Sequence, residues 1–303
     1  MSNFLRNTVC WKAETSDVGL RLQSFIHEKL EKKYSAKNIK RALENNACDV
    51  NGRKERFAGY RLAKGDVVTF HCSSLLSDKV KSDFSIDRIV FQDDFLIAYD
   101  KPAGISSEEL FEEILQKFPG AEKIHRLDKE TSGLILYAKN IVCRDALVAL
   151  FRDKKIRKEY LAVADGVISQ DEISIDKPIG KLSQNTQSFL RGIVPMNQGG
   201  DSALTSVRVM KRGGSATLVR CFPVTGRTHQ IRIHLQSIGH PLLGDKLYGH
   251  RRICTYHAER HFLHAISLVF PHPFLPEEIR VQAPVPADIA QAMQHLFNRE
   301  HRS

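Results

Sequence analysis

The sequence predicts an α+β protein, with a small, largely helical N-terminal module ahead of a larger domain built on a mixed, mostly antiparallel sheet. Beyond residue 88 candidate strands outnumber candidate helices. Several of them follow one another directly, which suits hairpins better than a doubly wound sheet. A stretch rich in Ser, Asp and Lys, residues 73–87, reads as a linker between the two parts. At 303 residues the chain is long enough for two unequal domains whose cores need no covalent staples.

Residues 1–13 carry no clear period and read as a loose N-terminal arm. From Gly19 the apolar residues Leu20, Leu22, Phe25, Ile26 and Leu30 fall at helical spacing, and Ser35 opens a second short helix through Ile39 and Leu43. That second helix brings Lys37, Lys40 and Arg41 within one turn, so three cations can face a phosphate strand, or simply form a solvated basic face. A turn at Asn51-Gly52 and the run from Leu62 to Phe70, which reads as a turn into a strand, complete a module spanning residues 14–72.

The larger domain is expected over residues 88–290, with a C-terminal tail at 291–303. Ile89-Val-Phe and Phe95–Tyr99 are short strands closed by Asp100-Lys101-Pro102-Ala103-Gly104. Ser106 and Glu109 make a capping box for a helix to Phe118. Leu134–Ala138 is a strand, after which Asn140 caps a helix carrying Val142, Ala146, Leu147 and Leu150. Further strands are expected at 159–164, 206–210, 216–222, 262–270 and 279–282.

Composition narrows the function. A formal charge of +10 sets up a field that attracts a polyanion, either nucleic acid or an anionic membrane surface. No apolar run is long enough for a membrane span and the first residues lack the order of a secretory signal, so a cytoplasmic protein is expected. Six scattered cysteines, with no Cys-x-x-Cys pair, argue against disulfides and structural zinc. The run from Gly244 to Gly249 ends in His250 where a phosphate loop needs Lys, and it reads as a turn. No metal and no cofactor is expected.

Two segments can carry chemistry. Ile124 to Leu136 sets His125, Arg126 and Asp128 beside a Thr131-Ser132-Gly133 turn and ahead of an apolar strand, which is either a reactive loop or a polar loop with a local ion pair. In Thr225 to Leu235, Thr228 is a reasonable helix N-cap, with Ile231, Leu235 and Ile238 on one face. Arg227 would then lie just before a helix start, where the dipole disfavours a cation. It therefore calls for an anionic partner, and Asp128 is the obvious one.

His125-Arg126-Leu127-Asp128-x-x-Thr131-Ser132-Gly133-Leu134, followed by Thr225-Gly226-Arg227-Thr228-His229-Gln230-Ile231-Arg232, resembles the RluA-type pseudouridine synthases. The same order holds for Asp100–Gly104, Lys158-Glu159-Tyr160-Leu161-Ala162, Pro178-Ile179-Gly180, Gly239–Asp245 and Leu263-His264-Ala265. The resemblance covers roughly residues 89–285 and implies the pseudouridine synthase fold and isomerisation of uridine within RNA, without redox step, cofactor or metal. It makes Asp128 the catalytic carboxylate, Arg227 the arginine paired with it, and Tyr160 the ring that packs on the target base. Without the resemblance, Tyr160 is a strand aromatic packed in a core.

Arg126, two residues before Asp128, would point the same way and fill the gap left by a flipped uridine. Lys101 with Pro102 fixes a turn beneath the cleft, Leu263 supplies apolar wall, and His125, His229 and His264 brace loops rather than bind metal. Lys101, His125 and Leu263 are grouped with Arg126 as substrate-contacting positions. The N-terminal layout resembles the alpha-L RNA-binding module, with Arg21-Leu22-Gln23 where Arg-Leu-Asp is usual and Asn46 in place of a glycine. Residues Ile105 to Glu109 depart from the family pattern, which is expected to leave the catalytic segment untouched while altering the RNA rim. The expected substrate is large-subunit ribosomal RNA, with transfer RNA or a non-catalytic RNA-binding assembly factor as alternatives, and the expected state is a monomer. A glycosidase acting on small sugars would need a second acid near Asp128 and leaves the basic surplus unexplained.

Overall fold

The computed structural model describes residues 8–31, 34, 36–44, 46–72, 84–182, 190–249 and 253–297. Ser35 lies outside them, as do the side chains of Lys37 and Arg41. The chain divides into two compact units, Met1–Ser82 and Asp83–Ser303.

The first unit contains β1 (Thr8–Lys12), α1 (Leu22–Lys29), α2 (Ala36–Glu44), β2 (Cys48–Val50), β3 (Arg53–Lys54) and β4 (Val67–His71). Its antiparallel sheet runs β1-β4-β2-β3. Helical spacing buries Leu22, Phe25 and Ile26 from α1 and Ile39 and Leu43 from α2 against Val68 and Phe70. The loose arm expected at residues 1–13 is corrected by β1, which pairs Thr8 through Lys12 with His71 through Val67. The physical reason is a period of two: Val9 and Trp11 turn inward onto the core while Thr8, Cys10 and Lys12 face out. Asn46 does adopt a left-handed backbone, φ 64°, and Asn51-Gly52, at φ 52° and 75°, make the tight turn between β2 and β3.

In the second unit, residues assigned to the linker already belong to the fold. Phe84 stacks on Tyr99 at 5.4 Å, and the Ser85 amide donates to the Tyr99 hydroxyl at 3.1 Å. The elements are β5 (Ile89–Gln92), β6 (Leu96–Lys101), α3 (Ser107–Lys117), β7 (Glu122–Lys123), β8 (Ser132–Ala138), α4 (Ile141–Arg152), β9 (Arg157–Asp165) and β10 (Glu172–Asp176). They continue with β11 (Ile179–Lys181), β12 (Arg191–Ile193), β13 (Leu204–Arg212), β14 (Ala216–Pro223), α5 (Gln230–Gln236), β15 (Leu263–Pro271), β16 (Glu278–Gln282) and α6 (Ala287–Phe297). Eight strands form the spine β10-β13-β14-β9-β15-β8-β6-β5, with β16 added beside β15 and β7 beside β8.

Among the described residues every pairing in this sheet is antiparallel except β15 with β8, where Ala265 stands opposite Gly133. Gly133 has φ 105°, and a β-carbon there would lie 2.2 Å from the Ala265 carbonyl oxygen. Only glycine allows this approach. Helices α3 and α4 start as their sequences dictate. Ser106 and Glu109 close a capping box, and the Asn140 side chain accepts the Cys143 amide at 2.9 Å. The tail expected at 291–303 is corrected in part, because α6 runs to Phe297 and buries Ile289, Ala292 and Phe297 against Val163 and Phe262.

Candidate active site

Residues 124–131 form the loop that feeds β8, without regular structure of their own. Such a loop holds a fixed shape only if its backbone groups find partners, and these do. The Ser107 hydroxyl both accepts the Leu127 amide and donates to the Leu127 carbonyl, each at 2.9 Å. The Gly104 amide and the Lys101 ammonium converge on the Lys129 carbonyl at 2.9 and 3.1 Å. Buried Arg260 donates to the Glu130 carbonyl at 2.8 Å, and Thr131 bonds the His261 ring at 2.9 Å.

This frame presents Asp128 at the floor of an open cleft of about 600 Å³. Its carboxylate accepts a charge-assisted bond from Arg232 Nη1 at 3.2 Å, and His229 Nε2 lies 3.8 Å away. Arg232 in turn grips Asp245 through Nε at 2.8 Å and Nη2 at 2.9 Å. Burial lowers the guanidinium's affinity for its proton, but Asp245 and Asp128 more than offset it and hold Arg232 above its ordinary value. Burial would raise the Asp245 carboxyl, yet Arg232 and the backbone amides of Leu247 and Tyr248 hold it below the usual range.

The partner of Asp128 is therefore Arg232 and not Arg227, a correction with a local cause. Thr228 is not the cap. His229 is, in a left-handed conformation at φ 58°, and the helix starts at Gln230 and ends at Gln236, short of Ile238. The chain bends just before it, tied by Gln230, whose side-chain oxygen accepts the Arg227 amide at 3.0 Å. Arg227 is turned away, donating to the Ser202 carbonyl at 3.0 Å, with Asp201 at 3.8 Å. Arg232 lies within the first turn of α5, and there it meets two carboxylates instead of one.

Tyr160, on β9, lines the same cleft, as does Leu263 at the start of β15. Burial, reinforced by Asp128, pushes the Tyr160 phenol well above its ordinary range, so it stays protonated. A carboxylate clamped by a guanidinium, a phenol ring and a leucine wall make a site that holds a planar apolar-faced group against a fixed negative charge. Such a site can stabilise positive charge that develops on a group held there.

Comparison with known proteins agrees. The family model described as RNA pseudouridylate synthase matches residues 96–237. The chain is 33% identical to ribosomal large subunit pseudouridine synthase C of Escherichia coli over 93% of this chain and 94% of that protein. It is 31% identical to the uncharacterized RNA pseudouridine synthase YlyB of Bacillus subtilis over 91% and 94%. This chain belongs to the RNA pseudouridine synthase family. Among solved structures it is similar to human RNA pseudouridylate synthase domain containing 1, with TM-score 0.57 and 25% identity, covering 68% of this chain and 93% of that one.

The remaining residues of the synthase sort by what they touch. Lys101 is fully buried and outside the cleft, which corrects its grouping with substrate contacts. Its ammonium donates to the carbonyls of Pro102, Ile105 and Lys129, and burial pushes it down to about 7. His125 lines the cleft but also accepts the Leu136 amide at 2.9 Å and packs on Phe151 at 4.8 Å. Burial, then the Lys158 charge, push it down to about 3, so it is a neutral brace. His264 bonds Ser132 at 3.0 Å, and burial pushes it to about 4. Arg126 stands on the exposed rim of the cleft, 3.8 Å from Glu108.

The departure at Ile105 to Glu109 does not leave the catalytic segment untouched. Ser107 pins Leu127 next to Asp128, and Glu108 pairs with Arg126. Sequence reasoning also missed Arg232 and Asp245 as functional residues. Both sit inside recognised motifs, and placing the helix start at Gln230 is the signal that singles out Arg232. In the first unit, Lys40 is exposed and 3.9 Å from Glu44. Among the described residues no cluster of His, Cys, Asp or Glu is arranged to hold a metal, and no helix is long and apolar enough to cross a membrane.

Proposed function

We propose that this synthase isomerises specific uridines of large-subunit ribosomal RNA in the cytoplasm, with Asp128 as the catalytic carboxylate. The observation that carries the reading is the Asp128–Arg232–Asp245 chain of charge at the floor of a cleft walled by Tyr160 and Leu263. The chemistry breaks N1–C1′ and forms C5–C1′, with C5 losing a proton and N1 gaining one. Positive charge grows on the sugar as the first bond breaks, and a carboxylate opposite it stabilises that state. Arg232 holds the carboxylate in place without consuming it. Tyr160 packs on the uracil face, Leu263 closes the apolar side, and Arg126 fills the stack the uridine leaves. Residues 14–72 serve as an alpha-L RNA-binding module, with Lys37, Lys40 and Arg41 as its phosphate-binding cations. Names of relatives at 32–33% identity support a large-subunit target, and the formal charge of +10 suits a polyanionic substrate.

The test is a pseudouridine map of cellular RNA with the gene present, deleted, and replaced by Asp128→Asn. Loss of particular ribosomal sites that only the intact protein restores is the expected result. Sites lost from transfer RNA would move the target there, and restoration by Asp128→Asn would overturn the catalytic assignment.

A further inference from the structure

The cations that line the cleft differ in what they are paired with. Arg232 is committed to two carboxylates, Arg126 faces Glu108 at 3.8 Å, Arg227 faces Asp201 at 3.8 Å, and Arg152 bonds Asp153 at 3.0 Å. Lys154 and Lys158 line the same cleft, and among the described residues neither has a carboxylate within 4.0 Å. Lys158 is the more telling. It is half-buried on β9 two residues before Tyr160, so both side chains leave the same face of the strand. Its ammonium donates to the Thr225 carbonyl at 2.9 Å, and a β-carbon at Gly226 would stand 3.9 Å from it. The ammonium is thus set against the Thr225-Gly226 backbone, which lines the same cleft, with two of its three N–H groups left without a protein acceptor among the described residues. Burial pushes Lys158 down to about 8 with no acid to oppose it, and its charge depresses neighbouring His125.

A half-buried cation without a counter-charge is costly to keep unless something anionic arrives during the working cycle. The substrate supplies one. A uridine drawn out of its stack brings its flanking phosphates toward the mouth of the pocket that receives it. We propose that Lys158, with Lys154 lining the same cleft, forms a seat for a phosphodiester flanking the target uridine. This inference rests on the RNA substrate of the preceding section and adds which group on it is gripped. The seat distinguishes a nucleotide within a strand from a free nucleoside, because the latter brings uracil and ribose but no anion.

The experiment needs no turnover. Full-length protein is titrated with the trinucleotide UpUpU, whose two phosphodiesters flank one uridine, and with its bis-methylphosphonate analogue, which is isosteric and uncharged. Wild type should bind the charged form on the order of tenfold more tightly, the scale of one charge-assisted hydrogen bond. Lys158→Met and Lys158→Gln should lose most of that preference, and Lys158→Arg should keep it. Melting curves report whether each variant is folded, and the wild-type pair together with Lys158→Arg decides the matter if the neutral variants are not. Equal binding of the two trinucleotides by wild type, or a preference that survives undiminished in a folded neutral variant, would overturn the seat. A chain that makes no pseudouridine would sink the proposed reaction and leave this binding comparison standing.

Discussion

Replacing Arg232 by Met separates its two duties. The guanidinium is nearly enclosed, with 8% of its side chain exposed, and Asp245 beneath it is 0% exposed. Arg232→Met leaves the Asp245 carboxylate buried with only the Leu247 and Tyr248 amides to hold it. Removing one member of a buried pair costs about 3–5 kcal/mol, most of it from the stranded charge. For a unit of this size each kcal/mol moves the melting temperature by about 2–4 °C, so a drop of ~6–20 °C is expected in the transition of Asp83–Ser303. Adding Asp245→Leu removes the stranded charge and should return most of that stability, since an apolar replacement of a buried pair is close to neutral. Activity should not return, because Asp128 still lacks its cation. Tritium release from RNA labelled at uridine C5 gives turnover, and urea titration gives stability. Two results would refute the reasoning: a double variant no more stable than Arg232→Met, or an Arg232→Met enzyme that keeps full turnover while Arg227→Met loses it.

Ser107→Ala removes both bonds to Leu127 and should cost about 1–3 kcal/mol, with turnover falling at unchanged RNA affinity; equal turnover in a single-turnover assay would show that the Asp128 loop holds itself. Tyr160→Phe should keep most activity, whereas Tyr160→Ala should lose about 1–3 kcal/mol of base stacking, seen as a higher KM for RNA. His125 and His264 are pushed to about 3 and about 4 when folded, against an unfolded value near 6.5. The unfolded chain therefore takes up protons that the folded one refuses, and stability falls as pH drops from about 6.5 toward 4, by at most ~1.4 kcal/mol per pH unit for each ring. Urea midpoints at pH 7, 6 and 5 should decline in that order, and a flat series would show that these rings are not held neutral.

Short-range rules recovered what short-range physics sets. The capping box at Ser106, the Asn140 cap, the Asn51-Gly52 turn and the strand leading from the Asp128 loop could all be read because each depends on neighbours within a few residues. The five-residue pattern of β1 was readable too, but Val9 and Trp11 gain their meaning only from the α1 and β4 surface they pack on. The pairing of Asp128 spans more than a hundred positions, and it turned on whether the helix is capped by Thr228 or by His229, one residue later. A shift of that size changes which side chain turns inward. Ser107 was overlooked for a related reason, since a hydroxyl that reads locally as part of a helix start has its decisive partners twenty residues away.

The contact of Gly133 with Ala265 joins the strand that emerges from the Asp128 loop to the strand beside Tyr160. Main chain lies directly on main chain there, so the spacing between the two lips of the catalytic groove is ruled by backbone thickness and not by how neighbouring side chains interlock. Gly133→Ala would spread the groove and read in a mutational scan like loss of a reactive group, although no reacting atom comes near it.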